Sequence, residues 1–137
     1  KTYLHNTSSA LRYNVTPTSN AGIIVPKPNT LVLDGKRGNV FNIERGLYVT
    51  NVWYTRFQNY AKGDFSTIPR DGIFLIENGK IGQPVKNIRI SDNMLDIMKN
   101  ISLLGKKSVQ IKSWEIDIPC VLSEVLVKTV KVTKPHG

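Results

Sequence analysis

The chain is poor in the residues that do chemistry. It has one cysteine, Cys120, and two histidines, His5 and His136, among 137 residues. A lone cysteine cannot close an internal disulfide, so a packed core rather than covalent staples has to hold the fold. Zinc needs three or four nitrogen, sulfur or carboxylate ligands on one point, and histidines at opposite ends plus a single thiol offer no local pair. No metal ligand and no catalytic residue is therefore assigned in this chain. Cys120 follows Pro119 and precedes Val121-Leu122, the setting of a buried, inert thiol rather than a nucleophile. No G-x-S-x-G elbow is present, and Gly35-Lys36-Arg37-Gly38 lacks the strand-loop-helix frame of a phosphate cradle and reads as a basic turn. Apolar runs are short, none near the length of a membrane span or a signal peptide, so no membrane partner is expected and a cytoplasmic location is. The triplets starting at Asn6, Asn14 and Asn100 match the glycosylation pattern but have no chemistry without secretion.

Acidic residues are also few. Lys and Arg outnumber Asp and Glu 19 to 10, giving a formal charge of +9. Such a balance attracts acidic surfaces, nucleic acid or a negative partner. The basic residues are spread along the chain, so a solvated surface is their simplest role. The length fits one domain over residues 1–137, with an opening loop over about 1–30 and a β-rich core over about 31–133. The chain begins at Lys1 on polar text and is expected to be a piece of a longer protein.

What is present is mostly strand. Residues 14–28 hold three prolines and one apolar cluster, Ile23-Ile24-Val25, which predicts a loop with an embedded extended piece. Pro26 and Pro28 remove backbone donors, so this piece cannot lie in the middle of a sheet. Leu31-Val32-Leu33 is a short strand ending at Asp34-Gly35, a pair suited to the positive φ of a tight turn. Gly46 to Phe57 is dense in β-branched and aromatic residues and predicts one long strand, covered on both faces because neither face is purely polar. Ile73-Glu77, Asn78-Gly79 and Lys80-Ile81 spell a hairpin with a type I′ turn. Val109-Ile111, Cys120-Leu122, Val125-Val127 and Val130-Val132 are further short strands.

A single segment has helical spacing. Ser91 is placed to cap it, Asp92 favours its positive end, and Met94, Leu95, Met98 and Ile101 form an apolar stripe that predicts core packing, with Gly105 as the stop. The fold class is thus mainly β (α+β overall): antiparallel sheets closed as a barrel or a sandwich, with one packed helix near 91–104.

Two carboxylates sit at turns. Asp64 in Gly63-Asp64-Phe65-Ser66 and Asp71 in Arg70-Asp71-Gly72 can cap their own backbone, or present polar groups beside an aromatic strand to an extended peptide.

Several motifs now agree in order. Gly46-Leu47-Tyr48-Val49-Thr50, Gly63-Asp64-Phe65-Ser66, Asp71-Gly72-Ile73, Ile76-Glu77-Asn78-Gly79-Lys80-Ile81, Pro84-Val85 and Asn93-Met94-Leu95 together resemble the carboxy-terminal domain of the TldD/PmbA family. The resemblance covers roughly residues 1–133, and Leu4-His5-Asn6-Thr7 through Asn20-Ala21-Gly22 is similar to the family's loop into this domain. It implies a two-subunit peptidase system. By the same resemblance, TldD-type subunits are similar to zinc metallopeptidases carrying an H-E-x-x-x-H helix upstream of this domain, with a further cysteine ligand near its end. That cysteine would fall around Ile111–Glu115, where this chain has Lys112-Ser113-Trp114, and the role is not carried over to Cys120. The departure favours the PmbA-like (TldE) subunit, which has no metal site and accompanies the catalytic one.

The resemblance further implies a heteromer with a TldD-type subunit, or a homo-oligomer, with zinc in the catalytic partner and none here. An extended peptide would enter a chamber between subunits and add to an exposed strand by main-chain hydrogen bonds. The residues expected to shape that chamber are Trp53, Tyr54 and Arg56 on the aromatic strand and Asp64, Phe65, Ser66 and Arg70 in the turn that follows. Two alternatives stand beside this. Tyr48, Trp53, Tyr54, Phe57 and Tyr60 near Arg56 and Lys62 could stack single-stranded nucleic acid, the less favoured reading. The chain could also belong to a catalytic TldD-type subunit whose ligands lie elsewhere.

Overall fold

Glu77-Asn78-Gly79-Lys80 shows how directly local chemistry is expressed. Asn78 (φ 50) and Gly79 (φ 78) both take the left-handed region, and Glu77 faces Lys80 across the turn, as the Asn-Gly pair predicts. The structure, a computed structural model, describes residues 16–20, 23–27, 30–112 and 118–134. In chain order the strands are β1 (Thr16–Asn20), β2 (Ile23–Lys27), β3 (Leu31–Val32), β4 (Arg37–Gly38) and β5 (Arg45–Val49). Next come β6 (Val52–Asn59), β7 (Asp64–Pro69), β8 (Ile73–Glu77), β9 (Lys80–Pro84) and β10 (Arg89–Asn93). The helix α1 (Met94–Lys99) precedes β11 (Ile101–Gly105), β12 (Val109–Ile111), β13 (Cys120–Leu122), β14 (Val125–Val127) and β15 (Val132–Thr133). The protein is mainly β with one short helix among the described residues. None of its sheets closes into a barrel among those residues. No helix among them is long and apolar enough to cross a membrane.

The chain forms two compact units. The first takes the described residues within Lys1–Asp34 and Lys107–Ser123. In it β1 and β2 make an antiparallel ribbon with Pro17 opposite Pro26, so each proline sits where a two-stranded sheet tolerates a missing donor. The predicted loop over 14–28 is therefore a hairpin in its described part, with Thr16–Asn20 as a strand that its polar composition concealed. The other sheet has the order β12-β13-β3, and β3 joins β13 in parallel, with Leu31 N–H donating to the Pro119 carbonyl at 3.0 Å. Cys120, at 2% exposure, is its buried point. Asp34 and Gly35 do not take positive φ, and no hairpin forms there: the chain passes from β3 in this sheet to β4 in another.

The second unit takes Gly35–Lys106 and the described residues from Glu124 onward. Its sheets have the orders β14-β11-β4, β5-β8-β9 and β15-β10-β7-β6. The stretch predicted as one strand over 46–57 is divided. Thr50 Oγ1 accepts from Gly72 N–H at 2.9 Å, Thr50 N–H donates to the Gly72 carbonyl at 2.9 Å, and Asn51 Nδ2 donates to Asp71 Oδ2 at 2.8 Å. This polar joint redirects the chain: β5 before it pairs with β8, and β6 after it pairs with β7. Gly72 belongs to the joint because a Cβ there would lie 3.0 Å from Thr50 Oγ1 and 2.9 Å from the Phe74 ring. Beside it, Tyr48 stacks on Phe74 at 6.3 Å and meets the edge of Phe41 at 5.2 Å. Arg37-Gly38, read as a turn, is instead β4, parallel to β11, with Arg37 Nη1 donating to the Gly105 carbonyl at 3.1 Å.

The helix is shorter than predicted and differently placed. Asn93, not Ser91, is its cap, its side-chain oxygen accepting from Leu95 N–H at 2.9 Å, and it ends at Lys99. Ile101–Gly105 runs as strand because β14 and β4 offer it pairing on both sides, which outweighs the helical spacing of its apolar residues. Nor is the stripe core: α1 buries no residue, and Leu95 and Met98 are exposed at 62% and 54%. The core of this unit is carried by Val40, Phe65, Ile73, Ile76, Ile88 and Leu104.

Candidate peptide-binding edge

The aromatic strand β6 is the outer strand of its sheet, paired with β7 on one side and with no other strand among the described residues. An unpaired edge leaves backbone donors and acceptors available to another chain. Two irregularities interrupt its ladder, between Trp53 and Arg56 and between Phe57 and Asn59. At the first, Tyr54 has φ 53, a left-handed conformation that is rare for an aromatic residue and that turns its ring out of the regular alternation. The Arg70 guanidinium lies 4.9 Å from the centre of that ring and holds it by a cation–π contact. Tyr54, Thr55, Arg56, Phe57 and Tyr60 line a surface depression of about 380 Å³. Phe57 stacks on Tyr60 at 5.0 Å, and Tyr60 is 83% exposed.

The residues singled out by sequence separate into two groups. Tyr54, Arg56 and Arg70 are exposed, and Tyr54 and Arg70 touch. Trp53 lies on β6 opposite Ile68, with its side chain outside the described part. Phe65 and Ser66 are buried, at 7% and 6% exposure, because β7 is an inner strand flanked by β6 and β10. Phe65 sits opposite Phe57. Ser66 Oγ accepts from Arg89 Nη1 at 3.1 Å and from Ser91 Oγ at 3.2 Å. Asp64 Oδ1 accepts from Asn93 Nδ2 at 2.9 Å, tying the start of β7 to the helix cap. The expectation that β6 is covered on both faces does not hold: Val52, Tyr54, Thr55 and Arg56 are all exposed. Tyr60 and Arg89 were not among the expected chamber residues. Arg89 comes close only through the β7–β10 pairing, which no local signal announces.

The donors among the described residues do not fit a zinc ion. Among the described residues no three of His, Cys, Asp and Glu converge on one point. The Cys120 thiol is directed at the Ile118 carbonyl at 3.6 Å, and His5 and His136 lie outside the described residues.

Comparison with known proteins then decides the family. Residues 1–134 match the family model described as the PmbA/TldA metallopeptidase C-terminal domain. The chain belongs to the PmbA/TldD family. Among solved structures, a candidate modulator of a DNA gyrase from Thermotoga maritima is similar to this PmbA/TldD domain with TM-score 0.67 and 28% identity, over 97% of this chain and 30% of that one. A candidate modulator of DNA gyrase from Bacteroides thetaiotaomicron gives TM-score 0.59 and 26% identity, over 98% of this chain and 28% of its own. TldE from Thermococcus kodakarensis shares the fold at TM-score 0.67 and 20% identity, over 87% of this chain and 27% of its own. The PmbA/TldD domain thus spans less than a third of each of these proteins. No match is found among curated proteins.

Proposed function

We propose that this chain is the C-terminal domain of a TldE-like subunit in a zinc-dependent peptidase complex, where it is non-catalytic and forms part of the wall that receives peptide substrate. The observation that carries the reading is the outer edge of β6, long, exposed and flanked by a fixed aromatic ring, in a domain whose family model is that of a metallopeptidase. An extended peptide laid along such an edge gains main-chain hydrogen bonds. The described residues offer no ligand set for zinc, and in this reading the metal belongs to a TldD-type partner. This chain's own contribution is to hold the substrate extended and to exclude alternative poses.

Mixing tests this. The intact protein alone is expected to leave unstructured peptides uncleaved, and the mixture with a TldD-type subunit to cleave them, with both subunits in one complex on size exclusion. Full cleavage by the intact protein alone, or by the partner alone at the same rate as the mixture, contradicts the assignment.

A further inference from the structure

Arg56 is the unusual charge on this edge. It lines the depression together with Tyr54, Phe57 and Tyr60, it is exposed, and its guanidinium has no ion-pair or hydrogen-bond partner among the described residues. The acid on the facing strand, Asp64, is engaged by Asn93 and lies opposite Asn59, not opposite Arg56. In register, Arg56 faces Ser66, the hydroxyl to which Arg89 already donates from the other side, so two guanidinium-bearing residues flank one buried polar row. Directly opposite side chains on neighbouring strands start about 5 Å apart. A guanidinium offers a planar fork matched to a carboxylate.

Resting on the peptide-edge reading above, we infer that the β6 edge selects acidic peptides: an extended segment adds to β6, and a Glu or Asp side chain, or a terminal carboxylate, pairs with Arg56 between Tyr54 and Tyr60. The charge of the protein agrees, since +9 draws acidic segments and repels basic ones before contact. The bulge contributes as well. By placing Tyr54 in the left-handed region, it sets that ring against the Arg70 guanidinium, at the rim of the depression that Arg56 lines.

Fluorescence anisotropy with labelled peptides of about six residues, the usual strand length, is the test. Three sequences are compared on one scaffold, carrying Glu, Gln or Lys at alternate positions. The Glu peptide is expected to bind about tenfold more tightly than the Gln peptide, equivalent to about 1.4 kcal/mol, and the Lys peptide more weakly than either. In R56Q that preference collapses to within about twofold with the Gln peptide unaffected, whereas R56K retains part of it as a point charge. Equal binding of Glu and Gln peptides, or a preference that survives in R56Q, overturns the inference while leaving the peptide edge intact. Absence of binding by all three overturns both. Displacement of the Glu peptide by oligo-dT, with oligo-dT affinity lost in R56Q, assigns the cation to nucleic acid and overturns it too.

Discussion

Truncating Leu104 to alanine is expected to remove about 2–5 kcal/mol of stability, the range for deleting a buried leucine and leaving its cavity. Leu104 is 2% exposed and sits on β11, the inner strand of the β14-β11-β4 sheet. Its neighbours are backbone as much as side chain. Its N–H donates to the Lys36 carbonyl at 2.8 Å, and its Cδ1 lies 3.5 Å from where a Cβ on Gly35 would stand. Strand backbone cannot slide in to fill the space without breaking the Leu104–Arg37 and Leu104–Val125 pairings, so the void persists. Urea denaturation followed by tryptophan fluorescence measures the loss as a fall in midpoint at unchanged slope. Val125→Ala on the neighbouring strand, at a side chain 42% exposed, serves as the control and is expected to cost far less. Equal costs would mean that this sheet is not packed as described.

Replacing Asp92 by alanine is expected to cost about 1.5–3 kcal/mol, the range for hydrogen bonds to a charged group. The side chain is only 6% exposed. Oδ1 accepts from Asn93 N–H at 2.8 Å, Oδ2 accepts from Lys131 N–H at 2.8 Å, and the Lys131 ammonium lies 3.6 Å away. Burial pushes the carboxyl up, but the amides of Lys131 and Asn93 and the Lys131 charge outweigh it and hold the group below its usual 3.8. A carboxylate whose folded pKa is lowered adds stability above its unfolded pKa of about 3.9 and loses it as pH falls through the folded value. The advantage of the wild type over D92N is therefore expected in full at neutral pH, and to vanish in acid below the lowered value. The effect is also local. Only Arg89–Thr133 and Ile90–Val132 register β15 on β10, so D92A is expected to speed hydrogen exchange at Val132 and Thr133 before it unfolds the sheet. A pH-independent difference, or protection unchanged at those amides, would contradict this role for Asp92.

Legibility in the sequence followed the range of the interaction. The Asn78-Gly79 turn was readable because both left-handed residues are adjacent and chemically marked. The break at Thr50-Asn51 was not, because it is made by Asp71 and Gly72, twenty or so residues later, and nothing local interrupts the β-forming text. Ile101–Leu104, expected as the end of the helix, is strand: a short apolar run fits either, and Val125–Val127 and Arg37 decide it. The site divides in the same way. The aromatic strand was visible, but the turn expected after it at Asp64–Ser66 is the inner strand β7, and the structure joins Tyr54 to Arg70 beyond its end. That Phe65 and Ser66 are both buried goes with β7 lying between β6 and β10, the latter from more than twenty residues downstream, a fact of topology rather than of local pattern.

The most direct test of the accessory-subunit account is the zinc content of the intact protein, purified alone and as the complex with a TldD-type subunit. The account predicts zinc in the complex, traceable to the partner, and no stoichiometric zinc in the protein alone. One zinc per molecule of the protein alone, accompanied by peptidase activity, would contradict it and make this the domain of a catalytic subunit.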